Sequence, residues 1–87
     1  MTDKKLLSFP CEFPIKVFGV ATDQFEINII RIIQQHVPDL HETAIQKRPS
    51  KDGKYLALTI TVFVKSQKEL DDIYCDLTAS PYVLMAL

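Results

Sequence analysis

The sequence predicts an α+β fold, a two-layer sandwich in which two helices cover one face of a four-stranded sheet, with elements in the order β-α-β-β-α-β. Three observations carry this. Leu56, Leu58, Ile60, Val62 and Val64 alternate with Tyr55, Ala57, Thr59, Thr61 and Phe63, a period of two held across the whole stretch. Two other stretches repeat their apolar residues at spacings of three and four, and each opens on residues suited to capping a helix. Finally, 87 residues with 47% apolar side chains suffice for one core, because a second domain would need roughly 50 residues of its own.

Residues 1–12 read as an N-terminal arm ahead of a single domain at 13–87. Met1 to Lys5 are polar, and Pro10 and Pro14 withhold amide donors from a continuous ladder. Leu6, Leu7 and Phe9 are free to pack on the domain. Ile15 and Val17 alternate with Lys16 in a first strand, Phe13 to Val20, that ends near Gly19. Asp23 with Glu26 approximates a capping box for the first helix, with Thr22 as the alternative cap. Phe25, Ile29, Ile32, Ile33 and His36 or Val37 form its stripe; Ile27 and Ile30 widen it, and Pro38 ends it.

Glu42 to Arg48 predict a short polar strand suited to a sheet edge, where charge discourages pairing with another chain. Pro49-Ser50-Lys51-Asp52-Gly53 is a hairpin loop, with glycine taking the positive φ. After the alternating strand, Ser66 and Glu69 match a capping box, and Leu70, Ile73, Tyr74 and Leu77 make the second helix's buried stripe. Pro81 precedes a last strand, Tyr82 to Leu87, with Val83, Met85 and Leu87 expected inward.

This is a ferredoxin-like pattern. Right-handed crossovers place the first and third strands at the centre and the polar second strand at an edge, which gives the order 4-1-3-2. The sheet face away from the helices is then expected to carry Lys16, Phe18, Val20, Tyr55, Ala57, Thr59, Thr61, Phe63, Tyr82, Leu84 and Ala86. That is too apolar for a face in water, and contiguous apolar surface marks an interaction site. Phe18, Tyr55, Thr59, Thr61, Phe63 and Leu84, with Arg48, Lys51 and Lys54 of the hairpin, are therefore candidate contacts for a second copy in a homodimer or for another protein.

Composition excludes several functions. Ten basic against eleven acidic residues leave no polybasic tract, so the phosphate neutralisation that drives nucleic-acid binding is missing. The RNA-binding pattern would need stacking rings where Ala57 and Thr59 stand. No apolar run is long enough for a membrane span and no secretory leader is evident, which predicts a cytoplasmic protein. Cys11 and Cys75 lack metal or redox spacing. His36 and His41 stand on either side of Pro38, a separation that fixes no tetrahedral geometry. Ser8, Ser50, Ser66 and Ser80 have no adjacent base. No catalytic residue, metal or cofactor is expected.

A small-molecule regulatory role survives these exclusions. Domains resembling the ACT type, which sense amino acids, share this element order and bind ligand beside the first strand-helix loop. Here that loop supplies Gly19, Val20, Thr22 and Asp23: glycine for close backbone approach and a carboxylate for an ammonium group.

Several segments together resemble the YbeD family of small uncharacterised bacterial proteins. They are Phe9-Pro10, Ile15-Lys16-Val17-Phe18-Gly19, the hairpin Arg48 to Tyr55 with Thr59-Ile60-Thr61, Leu70 with Ile73-Tyr74, Leu77, and Val83 to Leu87. The resemblance implies the ferredoxin-like fold, similarity to ACT-type regulatory domains, a tie to lipoate metabolism and no catalytic residue. Ala57 departs from it, since the family tends to carry serine there. The expected function is that of a non-enzymatic regulatory or interaction domain that self-associates, the alternative being a small-molecule sensor.

Overall fold

The computed structural model describes residues 8–87. It orders β1 (Cys11–Val20), α1 (Asp23–His36), a 3-10 turn at Glu42–Ala44, β2 (Ile45–Pro49), β3 (Tyr55–Val64), α2 (Gln67–Ala79) and β4 (Val83–Ala86). The strands lie β2-β3-β1-β4, the expected order read from the other edge, with each neighbouring pair antiparallel. Leu58, Ile60, Val62 and Val64 of β3 and Ile15 and Val17 of β1 meet Phe25, Ile29 and Ile33 of α1 and Leu70, Ile73 and Leu77 of α2 in one buried cluster. Each such side chain contributes about 1.5–3 kcal/mol of transfer free energy, which is what fixes both helices on one face.

Polar contacts tie the helix layer together. Ser80 Oγ donates to Asn28 Oδ1 at 2.6 Å, joining the end of α2 to α1. His36 Nε2 donates to Asp76 Oδ2, also at 2.6 Å. Lys47 of the polar edge strand donates to Glu26 Oε2 at 3.1 Å, so β2 is held to α1 from outside. The Phe13 and Tyr74 rings meet edge to face, centroids 6.5 Å apart, and burial raises the Tyr74 phenol above its ordinary pKa.

The structure corrects five expectations. β1 starts at Cys11, so Cys11 and Glu12 join the sheet rather than the arm, and the strand runs through Pro14. The reason lies in the register. Lys16 and Leu87 exchange both backbone bonds, so even-numbered residues of β1 point their amides toward β4 and odd ones toward β3. Position 14 therefore aims its missing donor past Leu87, where no described residue pairs with it, and the β1–β3 ladder loses nothing. Phe9 packs on the core as expected; Leu6 and Leu7 lie outside the described residues.

Second, Thr22 caps α1, its Oγ1 accepting from Phe25 N at 3.1 Å, while Asp23 is the first helical residue. Third, residues 42–44 form a 3-10 turn and only Ile45 to Pro49 pair as a strand. Fourth, β4 turns over midway. Phe18 pairs with Met85 and Gly19 with Val83, leaving Leu84 as a bulge. Val83 and Ala86 thus face the helices, while Met85 and Leu87 face the opposite way, against the expected inward Met85 and Leu87 and outward Ala86. Fifth, Tyr82 sits in the turn before β4 beside Ile27 and Arg31 of α1, away from the open face.

The capping box of α2 forms with a variation. Glu69 N donates to Ser66 Oγ at 3.2 Å, and Glu69 Oε1 reaches one residue further back to accept from Lys65 N at 3.0 Å.

Candidate interaction surface

Antiparallel pairing sets the open face out in rungs. Glu12 stands opposite Phe63, Pro14 opposite Thr61, Lys16 opposite Thr59, Phe18 opposite Ala57 and Val20 opposite Tyr55. β2 adds Gln46 to the Thr59 rung and Arg48 to the Ala57 rung, and β4 adds Met85 to the Phe18 rung. The face is four strands wide at the Phe18 end. It narrows to two at the Phe63 end, because β2 and β4 both pair only toward the Gly19–Leu56 rung.

Much of this face is apolar and uncovered. Tyr55 is 50%, Phe63 53%, Met85 52% and Leu84 62% exposed. Phe18 and Ala57 are half-buried and, with Arg48, Pro49, Ser50 and Tyr55, frame a hollow of about 240 Å³. A larger hollow, about 410 Å³, opens at the other end between Phe63, Thr61 and Glu12 of the sheet and the 37–44 connection, which brings Asp39 and His41 to it. The aromatic hollow has a guanidinium at its rim and the other has two carboxylates, so the two ends differ in charge.

The hairpin joining β2 and β3 is rigidly built. Ser50 Oγ donates to Asp52 Oδ1 at 2.8 Å and accepts from Tyr55 N, and Lys54 N donates to Asp52 Oδ1 at 3.1 Å. Gly53 takes φ +74°, the left-handed conformation anticipated for it. The Ser50 hydroxyl, then the Lys54 amide, hold the Asp52 carboxyl below its ordinary pKa of 3.8. Arg48, Lys51 and Lys54 are exposed around this turn.

The strand-helix loop named for a ligand is used by the fold itself. An added Cβ at Gly19 would lie 2.5 Å from Phe25 Cδ1 and 2.6 Å from the Tyr82 carbonyl oxygen, so the close approach that glycine allows is taken by Phe25. Thr22 spends its hydroxyl on the cap, and Ala21 N donates to Lys54 O at 2.9 Å, closing the loop onto the hairpin. Val20 and Asp23 are exposed. Reading residues alone missed the hollow at Asp39 and His41, whose lining comes together only when the 37–44 connection folds beside Phe63. His36, considered beside His41 for metal, is bonded to Asp76 instead. Among the described residues no three His, Cys, Asp or Glu side chains are grouped to hold a metal ion, and no helix is long and apolar enough to cross a membrane.

Comparison with known proteins agrees with the architecture. The chain superposes on protein HP0495 from H. pylori with a TM-score of 0.81 at 15% identity, covering 99% of this chain and 90% of that one. The ACT domain from GTP pyrophosphokinase of Chlorobium tepidum aligns with a TM-score of 0.69 at 20% identity over 87% of this chain and 94% of that one. Both likenesses are of fold. In sequence, a UPF0250 protein of Janthinobacterium sp. (strain Marseille) is 44% identical over 97% of this chain and 92% of its own length. Another, from Chromobacterium violaceum, is 43% identical over the whole of both. Residues 4–87 match the family described as "Protein of unknown function (DUF493)". With full-length relatives at this identity and an ACT-like sheet beneath them, the chain belongs to the DUF493 family of UPF0250 proteins, the one to which the YbeD resemblance pointed.

Proposed function

We propose that this chain is a non-catalytic regulatory or interaction domain that acts by self-association through its open sheet face. The observation that carries the reading is the row of uncovered apolar side chains, Tyr55, Phe63, Leu84 and Met85, beside the half-buried Phe18, on a sheet whose other face is fully used by two helices. Apolar surface gathered in one patch is removed from water by association, at about 25 cal/mol per Å². The likeness in fold to an ACT domain of a GTP pyrophosphokinase supports a regulatory setting.

The area sets the strength. Ten residues of strand and the three spacings between four strands bound the face at about 33 by 15 Å, at most roughly 500 Å² in projection and less where it tapers. Stable interfaces bury about 800 Å² per partner. A face of that size favours a reversible dimer over an obligate one. Sedimentation equilibrium over a range of about 1–500 µM tests it: a monomer–dimer equilibrium that Phe63→Glu abolishes, with the thermal midpoint unchanged, supports the reading. A monomer at every concentration refutes it.

A second reading, a small-molecule sensor, is favoured by one feature. The hollow beside Phe63, at about 410 Å³, lies in the size range of ligand sites, and its Glu12 and Asp39 suit a small amine. A rise in thermal midpoint with amino acids or lipoyl-pathway metabolites supports this reading, since a ligand that binds only the folded state stabilises it; the absence of any shift counts against it.

A further inference from the structure

We infer that two copies of the chain pair face to face about a two-fold axis that crosses the strands at the Ile15–Ile60 rung, placing Phe63 of each copy over Ala57 of the other. This rests on the self-association reading and deepens it by fixing the register. Ile60 lies midway between Phe63 and Ala57 on β3, so reversing the strand direction about it exchanges those two positions and also exchanges Thr61 with Thr59. On β1 the same operation exchanges Glu12 with Phe18 and Pro14 with Lys16. On β3, apolar or small positions thus meet apolar or small ones, whereas on the neighbouring central strand β1 Phe18 meets Glu12 and Lys16 meets Pro14, and Tyr55 comes opposite Lys65 just past the end of β3.

Shape agrees with the register. Phe63 projects from the narrow end of the face, and Ala57 is the floor of the 240 Å³ hollow framed by Phe18, Tyr55 and Pro49. A phenyl side chain fits that volume, and Arg48 at its rim can lie over the ring as a cation on a π face. Two such insertions occur per dimer, as an isologous contact requires.

Charge agrees independently. Arg48 stands on the β2 side of the Ala57 rung. The two-fold carries it to the β2 side of the Phe63 rung, beyond the start of β2, where the hollow with Asp39 and Glu12 opens. The basic rim of one copy thus reaches the acidic hollow of its partner. A two-fold along the strands would instead carry Arg48 across the sheet to the β4 side of its own rung, over Met85 and away from Asp39 and Glu12.

A compensating charge exchange tests the register. Arg48→Glu alone and Asp39→Arg alone each place like charges at both contacts of a homodimer. In an equimolar mixture the heterodimer restores both contacts. The expected result, at low salt, is a dissociation constant raised about fivefold or more for each variant alone and returned to within about twofold of the original in the mixture. As a readout on the unaltered sequence, a sample mixing isotope-labelled and unlabelled chains shows intermolecular NOEs from the Phe63 ring to the Ala57 methyl. If the unaltered protein dimerises but the mixture is not rescued and this NOE is absent, the register is wrong while self-association stands. If it remains monomeric throughout, both fall.

Discussion

The ring of Phe25 occupies the space a side chain would need at residue 19: a Cβ built on Gly19 falls 2.5 Å from Phe25 Cδ1, with the Tyr82 carbonyl oxygen 2.6 Å away on its other side. Phe25 is the largest side chain in the core and comes from the first turn of α1. The strand end, the helix start and the turn before β4 thus converge on one missing methyl group. Gly19→Ala must displace backbone as well as ring, and is expected to lower stability by about 2–3 kcal/mol in urea unfolding.

The cap of α1 separates two adjacent residues. Thr22→Ala removes the acceptor for Phe25 N and is expected to cost about 1 kcal/mol. Asp23→Ala removes only a favourable charge at the helix start, about 0.3–0.5 kcal/mol, and this smaller loss shrinks further in high salt. Thermal unfolding of the two variants at low and high salt checks both statements.

Pro14 lies within the sheet yet takes no donor from its ladder with β3. Pro14→Thr is therefore expected to leave stability within about 1 kcal/mol, the better strand former offsetting the added freedom of the unfolded chain. Ile15→Pro, one residue on, removes a donor that points at β3 and is expected to cost about 3 kcal/mol or more. Parallel denaturant titrations of the two variants make the comparison.

Asp52 gives the hairpin a pH signature. Its carboxyl titrates below 3.8 in the folded chain because Ser50 Oγ and Lys54 N donate to it. A lowered folded value means that the group's contribution to stability is complete above the unfolded pKa and is lost as pH falls through the folded one. Carboxyl-detected NMR titration is expected to show this depression, and Ser50→Ala to move the value back toward 3.8.

Much of this fold can be read from residue order. The alternation from Tyr55 to Val64 specifies a central strand because its two faces differ in polarity. Ser66 and Glu69 mark a helix start because their spacing matches one turn. β4 escapes such reading: Val83, Leu84, Met85 and Ala86 are apolar at both parities, so only the pairing of Gly19 with Val83 and Phe18 with Met85 decides which side each one takes. At Gly19 the residue type signals a close approach but not its occupant, since Phe25 lies six residues further along the chain. The hollow at Asp39 and His41 gives no local pattern at all, since its walls are distant in sequence. The open apolar face was legible, and the bulge at Leu84 makes it more apolar than parity alone suggested, by exchanging Ala86 for Met85 and Leu87.

The taper of the sheet from four strands to two has a kinetic consequence. Where β1 is flanked on both sides, amide protons should resist exchange with deuterated water as long as the whole molecule stays folded. Toward Cys11, β1 keeps only one neighbour, so Phe13 and Ile15 should be slow while Glu12 between β1's start and Pro14 exchanges at nearly the rate of a free peptide. A second copy seated over that narrow end would shield its ribbon without supplying it a single backbone bond, and slowed exchange there with rising concentration would trace its arrival.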